Sequence, residues 1–115
     1  MNLRVERLRG EDVPVVAVHG ELDIDGVSRL RAALIEAIDE HPGQHVVVDL
    51  EGVEFIDSAG LGVLLGGRER ARGADGDLSL VATGQGVIKI LELTGLTRVF
   101  EIHASRTAAL GASLR

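Results

Sequence analysis

Apolar and polar residues alternate at the start of the chain and then change to a helical spacing. Residues 3–8 alternate imperfectly, and residues 13–20 form a second apolar run after Gly10-Glu11-Asp12. Two short β-rich runs joined by a turn-forming segment predict an antiparallel hairpin. Pro14 is expected near the start of its strand, where the missing N–H costs least.

The next segment has apolar residues at every third or fourth position, which predicts an amphipathic helix. Asp25 or Ser28 is its candidate N-cap, and the sequence HPG at 41–43 is its stop signal. The apolar positions are Val27, Leu30, Leu34 and Ile38.

The rest of the chain alternates predicted strands with predicted helices. The continuous apolar run VVVDL is typical of a strand that is covered on both faces. The predicted elements are a strand at 46–50, a helix from about Ser58 through Arg72, a strand at 78–82, a helix at 86–93 closed by Gly95, a strand at 98–102, and a terminal helix capped by Ser105 and ending near Leu114. Such alternation predicts right-handed crossovers. We therefore expect one α/β domain over residues 1–115, with a mixed, mostly parallel sheet of about five strands and about four helices.

Composition narrows the possible functions. The formal net charge of −6 and the near absence of aromatic residues, two Phe with no Tyr or Trp, argue against nucleic acid as a partner. The absence of cysteine excludes disulfides and thiolate metal sites. The charged start of the chain does not fit a signal peptide, and no apolar run is long enough to span a bilayer. We expect a cytoplasmic protein that does not insert into membranes.

Ser58 stands between a predicted strand and a predicted helix, where three roles are open. It is a candidate N-cap, because serine oxygens accept hydrogen bonds from the first turn of a helix. It is a weaker candidate for a nucleophile, because I-D-S-A-G departs from the G-x-S-x-G elbow. A nucleophile also needs a base, and the sequence places no histidine beside Ser58; the four are His19, His41, His45 and His103. The third role is the target of a modifying enzyme.

Two other patterns near Ser58 invite a ligand interpretation. Gly60, Gly62 and Gly66 form a glycine-rich run after a strand, as phosphate-binding loops do, but the chain is too short for a dinucleotide fold. Gly62, Gly66 and Gly67 also suit a helix that packs close to a neighbour. Carboxylates are expected to form an acidic rim, with Asp57 before the serine and three others in the loop after the second strand: Glu21, Asp23 and Asp25. Turn carboxylates far more often cap or face solvent than bind metal, so no metal site is predicted.

The motifs together resemble a known family. F-I-D-S-A-G-L-G at 55–62 and G-E-L-D at 20–23 resemble the anti-sigma factor antagonists, the STAS-domain proteins of bacterial partner-switching pathways. The resemblance covers essentially the whole chain, including V-V-V-D-L before the motif and L-T-G-L at 93–96. It implies that Ser58 is phosphorylated by an anti-sigma factor that is also a serine kinase. Ala59 replaces a second hydroxyl that many members carry, which leaves one acceptor.

The resemblance implies a switch that is not an enzyme. Its unphosphorylated form binds the kinase and releases a sigma factor, phosphate on Ser58 ends binding, and a serine phosphatase resets the protein. ATP and Mg²⁺ belong to the kinase, so the chain needs no cofactor. The implied partner contacts are Asp23, Asp57, Ser58, Ala59, Gly60 and Leu61. The alternatives are a STAS docking subunit of a stress-signalling or lipid-transport assembly and a small hydrolase that uses Ser58. The oligomeric state stays open.

Overall fold

The computed structural model describes residues 3–8 and 12–113, and its elements have the predicted order β-β-α-β-α-β-α-β-α. They are β1 (Leu3–Leu8), β2 (Val15–Leu22), α1 (Val27–Glu40), β3 (His45–Ile56), α2 (Ser58–Gly73), β4 (Asp77–Val81), α3 (Gln85–Leu93), β5 (Glu101–His103) and α4 (Arg106–Ser113). The α/β fold class is confirmed. Two predicted features, the turn at Gly10 and Glu11 and the helix end near Leu114, lie outside the described residues.

One five-stranded sheet has its strands in chain order, β1-β2-β3-β4-β5. β1 pairs antiparallel with β2, as predicted for the hairpin, and all other pairs are parallel. Each parallel pair is connected through a helix, as such crossovers require. The carboxyl ends of β2 and β3 therefore lie side by side at one edge of the sheet.

The sheet is covered on both faces. The larger apolar cluster packs α1, α2 and α3 against one face and includes Val46, Val48 and Leu50 of β3. The smaller cluster packs α4 against the other face through Ala109 and includes Val47 of the same strand. The expectation that VVVDL is a strand buried on both sides is confirmed.

β3 is longer than predicted because it continues to Ile56. Its pairing with β2 shifts twice, once between Ala17 and His19 and once between Gly20 and Glu21. Each shift inserts one extra residue into β3, as in a β-bulge. The buried positions consequently change phase, from Val46, Val48 and Leu50 to Val53 and Ile56.

The predicted last strand at 98–102 is confirmed only at its end, because the structure places the strand at Glu101–His103 and not at residues 98–100. Gly95, with a φ of +76°, ends the preceding helix and starts a short 3-10 helix over Leu96–Arg98. The N–H of Phe100 donates to the carbonyl of Leu96, and the Phe100 ring is buried in the core rather than on a strand. The strand β5 begins only at Glu101 because these local hydrogen bonds occupy the backbone before it.

The predicted cap of α1 is also wrong. The N-cap position is Gly26, which has no side-chain cap, so neither Asp25 nor Ser28 fills that role. The start of the helix is held instead by the Asp23 carbonyl, which accepts from the N–H groups of Gly26 and Val27.

Helix α4 is fixed to the sheet by a charged pair. Arg106 donates from Nε and Nη2 to Oδ2 of Asp49 at 3.0 and 2.7 Å, and Oδ1 of Asp49 accepts from the Glu51 N–H at 2.9 Å. Asp49 is only 7% exposed, so this carboxylate depends on its partners. The predicted cap of this helix is confirmed, since Ser105 Oγ accepts from the N–H of Ala108.

Candidate functional site

The candidate site lies where β2 and β3 end together. Leu22 of β2 is paired with Ile56 of β3, so Asp23 and Asp57 are the first residues beyond the two strand ends. The N–H of Asp57 donates to the carbonyl of Leu22 at 3.2 Å. This bond ties the loop before α1 to the start of α2.

Asp57, rather than Ser58, is the N-cap of α2. Its backbone is extended, with φ −112° and ψ −174°, and its Oδ1 accepts from the N–H of Gly60 at 3.0 Å. Its carbonyl accepts the first helical bond, from Leu61. The cap interpretation of Ser58 is therefore wrong: both residue types make good caps, and the carboxylate one position earlier has the required extended conformation.

Ser58 is the first residue of the helix proper, and it is exposed. Among the described residues, its hydroxyl has no hydrogen-bond partner. The first-turn N–H groups of a helix carry partial positive charge, which favours an anion at this position. The hydroxyl is therefore accessible to another macromolecule, and a negative group attached to it would meet a favourable field.

Gly60 and Leu61 hold the start of α2 against the sheet. A Cβ on Gly60 would lie 2.7 Å from the carbonyl oxygen of Leu22 and 2.9 Å from Cγ1 of Ile56. Leu61 is buried in the larger apolar cluster. Because both residues face the interior, they offer a partner little surface, whereas Ser58 is exposed and three implied contacts are half-buried: Asp23, Asp57 and Ala59.

Asp23 organises the loop between β2 and α1. Its Oδ1 accepts from the N–H of Asp25 at 3.1 Å, in addition to the bonds that its carbonyl accepts from the first residues of α1. The side chain thus makes the loop an Asx-type turn. Glu21 was expected in this loop but lies on β2, where it is paired with Phe55.

Within the part of the chain that the structure describes, no histidine is placed as a base for a nucleophilic Ser58. His19 lies on β2 with its ring against Gly52, and His103 lies on β5, with Nε2 3.0 Å from Glu101 Oε1. His41 and His45 flank the turn between α1 and β3, at the far end of the sheet. In residues 3–8 and 12–113, no histidine hydrogen-bonds to Ser58, and no group of three His, Asp or Glu residues is placed to hold a metal ion.

The glycine-rich run does not form a phosphate loop, because all of it lies within α2. Gly67 does allow close packing, since a Cβ there would lie 2.9 Å from Cδ1 of Leu34 on α1. Gly62 and Gly66 have no such role, because a Cβ on either would meet nothing within 4 Å.

Comparison with known proteins places this chain in a family. A family described as "Mlab, STAS domain" matches residues 6–103. The chain belongs to the STAS domain family. The anti-sigma F factor antagonist of Paenibacillus polymyxa is 31% identical over 110 residues, which are 96% of this chain and 94% of that protein.

Solved structures of anti-sigma factor antagonists share the whole fold. The crystal structure of an anti-sigma factor antagonist from Mycobacterium paratuberculosis has a TM-score of 0.89 and 29% identity, and the match covers 99% of this chain and 96% of that one. The anti-sigma factor antagonist SpoIIAA in its unphosphorylated form has a TM-score of 0.76 and 25% identity, over 95% and 93% of the two chains. The phosphorylated form of the Bacillus protein SpoIIAA shares the fold, with a TM-score of 0.71, 24% identity and coverage of 99% and 100%.

This STAS domain also exposes apolar residues that sequence reasoning missed. Ile24, in the loop organised by Asp23, is 72% exposed, and Phe55, two residues before the cap of α2, is 50% exposed. A lone apolar residue between two Asp residues of a turn is a signal for the first; the bulged end of β3 hides any such signal for the second. No helix of the described residues combines the length and apolar character needed to cross a membrane.

Proposed function

We propose that this STAS domain is an anti-sigma factor antagonist that is controlled by phosphorylation of Ser58. Its unphosphorylated form binds an anti-sigma factor with serine-kinase activity and so frees a sigma factor. The observation that carries the proposal is the exposed Ser58 hydroxyl at the first position of α2, next to a cap that is supplied by Asp57. Full-length likeness to proteins named anti-sigma factor antagonists supports it.

The kinase supplies the cofactors of the reaction, and this chain supplies the acceptor. Ser58 Oγ forms a bond to the γ-phosphorus of ATP, the bond from that phosphorus to the bridging oxygen breaks, and ADP leaves. The hydroxyl proton passes to a base of the kinase. A serine phosphatase then hydrolyses the phosphoester with water and restores the hydroxyl.

The added charge switches binding off at the contact surface. A phosphoserine carries about −1.5 to −2 charges at neutral pH. In a complex, that charge would be desolvated beside the Asp57 carboxylate and the partner groups that had received a neutral hydroxyl. Like charges brought together in this way cost several kcal/mol.

Four residues form the proposed contact surface: Asp23, Asp57, Ser58 and Ala59. Gly60 and Leu61 contribute by fixing the first turn of α2, since both are buried. Sigma factors act in the cytoplasm with the transcription machinery, so we place the protein there. The chain has no catalytic role in this scheme.

The competing assignment is a docking subunit of a stress-signalling or lipid-transport assembly. The family description contains the word Mlab, but the relatives that match over nearly their whole length are antagonists of anti-sigma factors. Isolation of the protein with its bound partner from cell extract separates the two assignments. An anti-sigma factor supports the proposal, and an assembly without one contradicts it.

Phosphorylation by the purified anti-sigma factor kinase with ATP and Mg²⁺ tests the acceptor. Intact-mass measurement should show one added phosphoryl group on the wild type and none on Ser58→Ala. The matched control is Ser28→Ala, which removes another exposed hydroxyl from the first turn of a helix and should leave full phosphorylation. Phosphate on the Ser58→Ala protein, or its loss in the Ser28→Ala protein, contradicts the assignment.

A further inference from the structure

The packing of the free protein does not account for the exposure of Ile24 and Phe55. The core already buries most large aliphatic side chains of the described residues, and only three large apolar residues there are strongly exposed. The third is Leu93, which is 73% exposed at the end of α3. Single exposed apolar residues are common, but two beside one functional group indicate a contact site.

Both residues lie in the segments that meet at Ser58. Ile24 is two residues beyond Leu22, whose carbonyl accepts from the Asp57 N–H, and Phe55 is two residues before Asp57. Consecutive Cα atoms are about 3.8 Å apart. The Cα of Ile24 is therefore within about 8 Å of the Cα of Leu22, and the Cα of Phe55 is within about 8 Å of the Cα of Asp57.

Both residues are held in place before any partner binds. The Asx-type turn of Asp23 fixes the loop around Ile24 through three hydrogen bonds. Phe55 is part of β3 and is paired with Glu21. Because the backbone is already ordered, burying these side chains costs less conformational entropy than burying residues of a free loop.

We propose that Ile24 and Phe55 are the apolar anchors through which the anti-sigma factor binds on both segments around Ser58. This inference rests on the proposed function. A typical interface covers about 800 Å² per partner, a patch roughly 30 Å across, so a protein that docks over Ser58 covers both residues. Such anchors at the centre of an interface carry most of the binding energy.

The charges around the anchors define the partner surface that fits them. Carboxylates lie next to both: Asp23 and Asp25 flank Ile24, and Glu21 is paired with Phe55. The complementary surface therefore has apolar pockets with basic residues at their rims. Contact on both segments also excludes water from Ser58, which makes a phosphate there costly to bury.

Binding of the unphosphorylated protein to the purified anti-sigma factor kinase, measured by titration calorimetry, tests the anchors. Ile24→Ser and Phe55→Ser should each weaken binding, and the double variant should raise Kd at least tenfold, or about 1.4 kcal/mol. The matched control is Leu93→Ser, which removes an equally exposed apolar side chain from another part of the surface. All three single variants should melt within a few degrees of the wild type, because the side chains are exposed.

The outcomes separate this inference from the proposed function. A double-variant Kd less than tenfold above that of the wild type overturns the anchors, and so does an equal loss for Leu93→Ser. In both cases the wild type still binds, so the proposed function stands. A wild type that binds no anti-sigma factor kinase overturns both.

Discussion

Gly60 is the residue that lets the serine-bearing helix lie on the sheet. A Cβ added there would be 2.7 Å from the Leu22 carbonyl oxygen, which already accepts the Asp57 N–H, so neither backbone group has room to move. Gly62, one half-turn later, is open on all sides. Two glycines of the same motif thus have different structural requirements.

We expect Gly60→Ala to lower the free energy of unfolding by about 1–3 kcal/mol, because overpacking at a closed site costs that much. Gly62→Ala is the control: alanine is the better helix former by about 1 kcal/mol, so that variant should be more stable than the wild type. Urea unfolding of the three proteins measures both effects. A Gly60→Ala protein as stable as the Gly62→Ala protein would contradict the packing described for the start of α2.

At the scale of the element, α2 should tolerate a phosphate that its partner does not. An anion at the helix N-terminus gains roughly 0.3–1 kcal/mol from the dipole, and the cap made by Asp57 does not use the serine oxygen. Phosphorylated protein should therefore melt at the temperature of the wild type or slightly above it.

The same phosphoprotein should bind the kinase at least about a hundredfold more weakly, because several kcal/mol of repulsion corresponds to two or more tenfold steps. Ser58→Glu should reproduce part of the loss. Calorimetric melting of the unmodified and the phosphorylated protein, and titration of each with the kinase, test both expectations. Melting several degrees lower would mean that the phosphate unfolds the start of α2, and unchanged affinity would mean that it does not oppose the partner.

At the scale of the whole molecule, the pair of Asp49 and Arg106 joins the terminal helix to the centre of the sheet. We expect Arg106→Gln to cost about 1–3 kcal/mol, because it leaves a buried carboxylate without its charged hydrogen-bond donor, and to shift one cooperative transition rather than release α4 alone. Arg70→Gln, which breaks the exposed pair with Asp39, should change stability by less than about 1 kcal/mol. Circular dichroism in urea, with hydrogen exchange of the α4 amides, measures both. Early exchange of α4 in the wild type would contradict a single folding unit.

The sequence predicted the order of elements because apolar spacing determines which face of each element is buried. The prediction from the sequence failed where tertiary structure overrides the apolar spacing. The bulges break the alternation of β3 beyond Leu50. The hydrogen bonds around Leu96 replace the expected start of the last strand. The sequence located Ser58 through its motif, but the choice between Ser58 and Asp57 as cap needed the backbone angles of Asp57. The exposure of Phe55 was not predictable, since the bulges change which face of β3 each residue occupies.

The two bulges make the end of β3 sensitive to insertions and deletions. Eight residues of β2 lie opposite ten of β3, so the end of β3 carries an offset of two residues. Removing one residue between Leu50 and Phe55 would reverse the alternation, turn Phe55 inward and Ile56 outward, and rotate the chain that enters α2. The number of residues in β3 thus determines the direction in which Ser58 points. Length variation among proteins with this switch should therefore occur in the turns and not between the sheet and its modified helix.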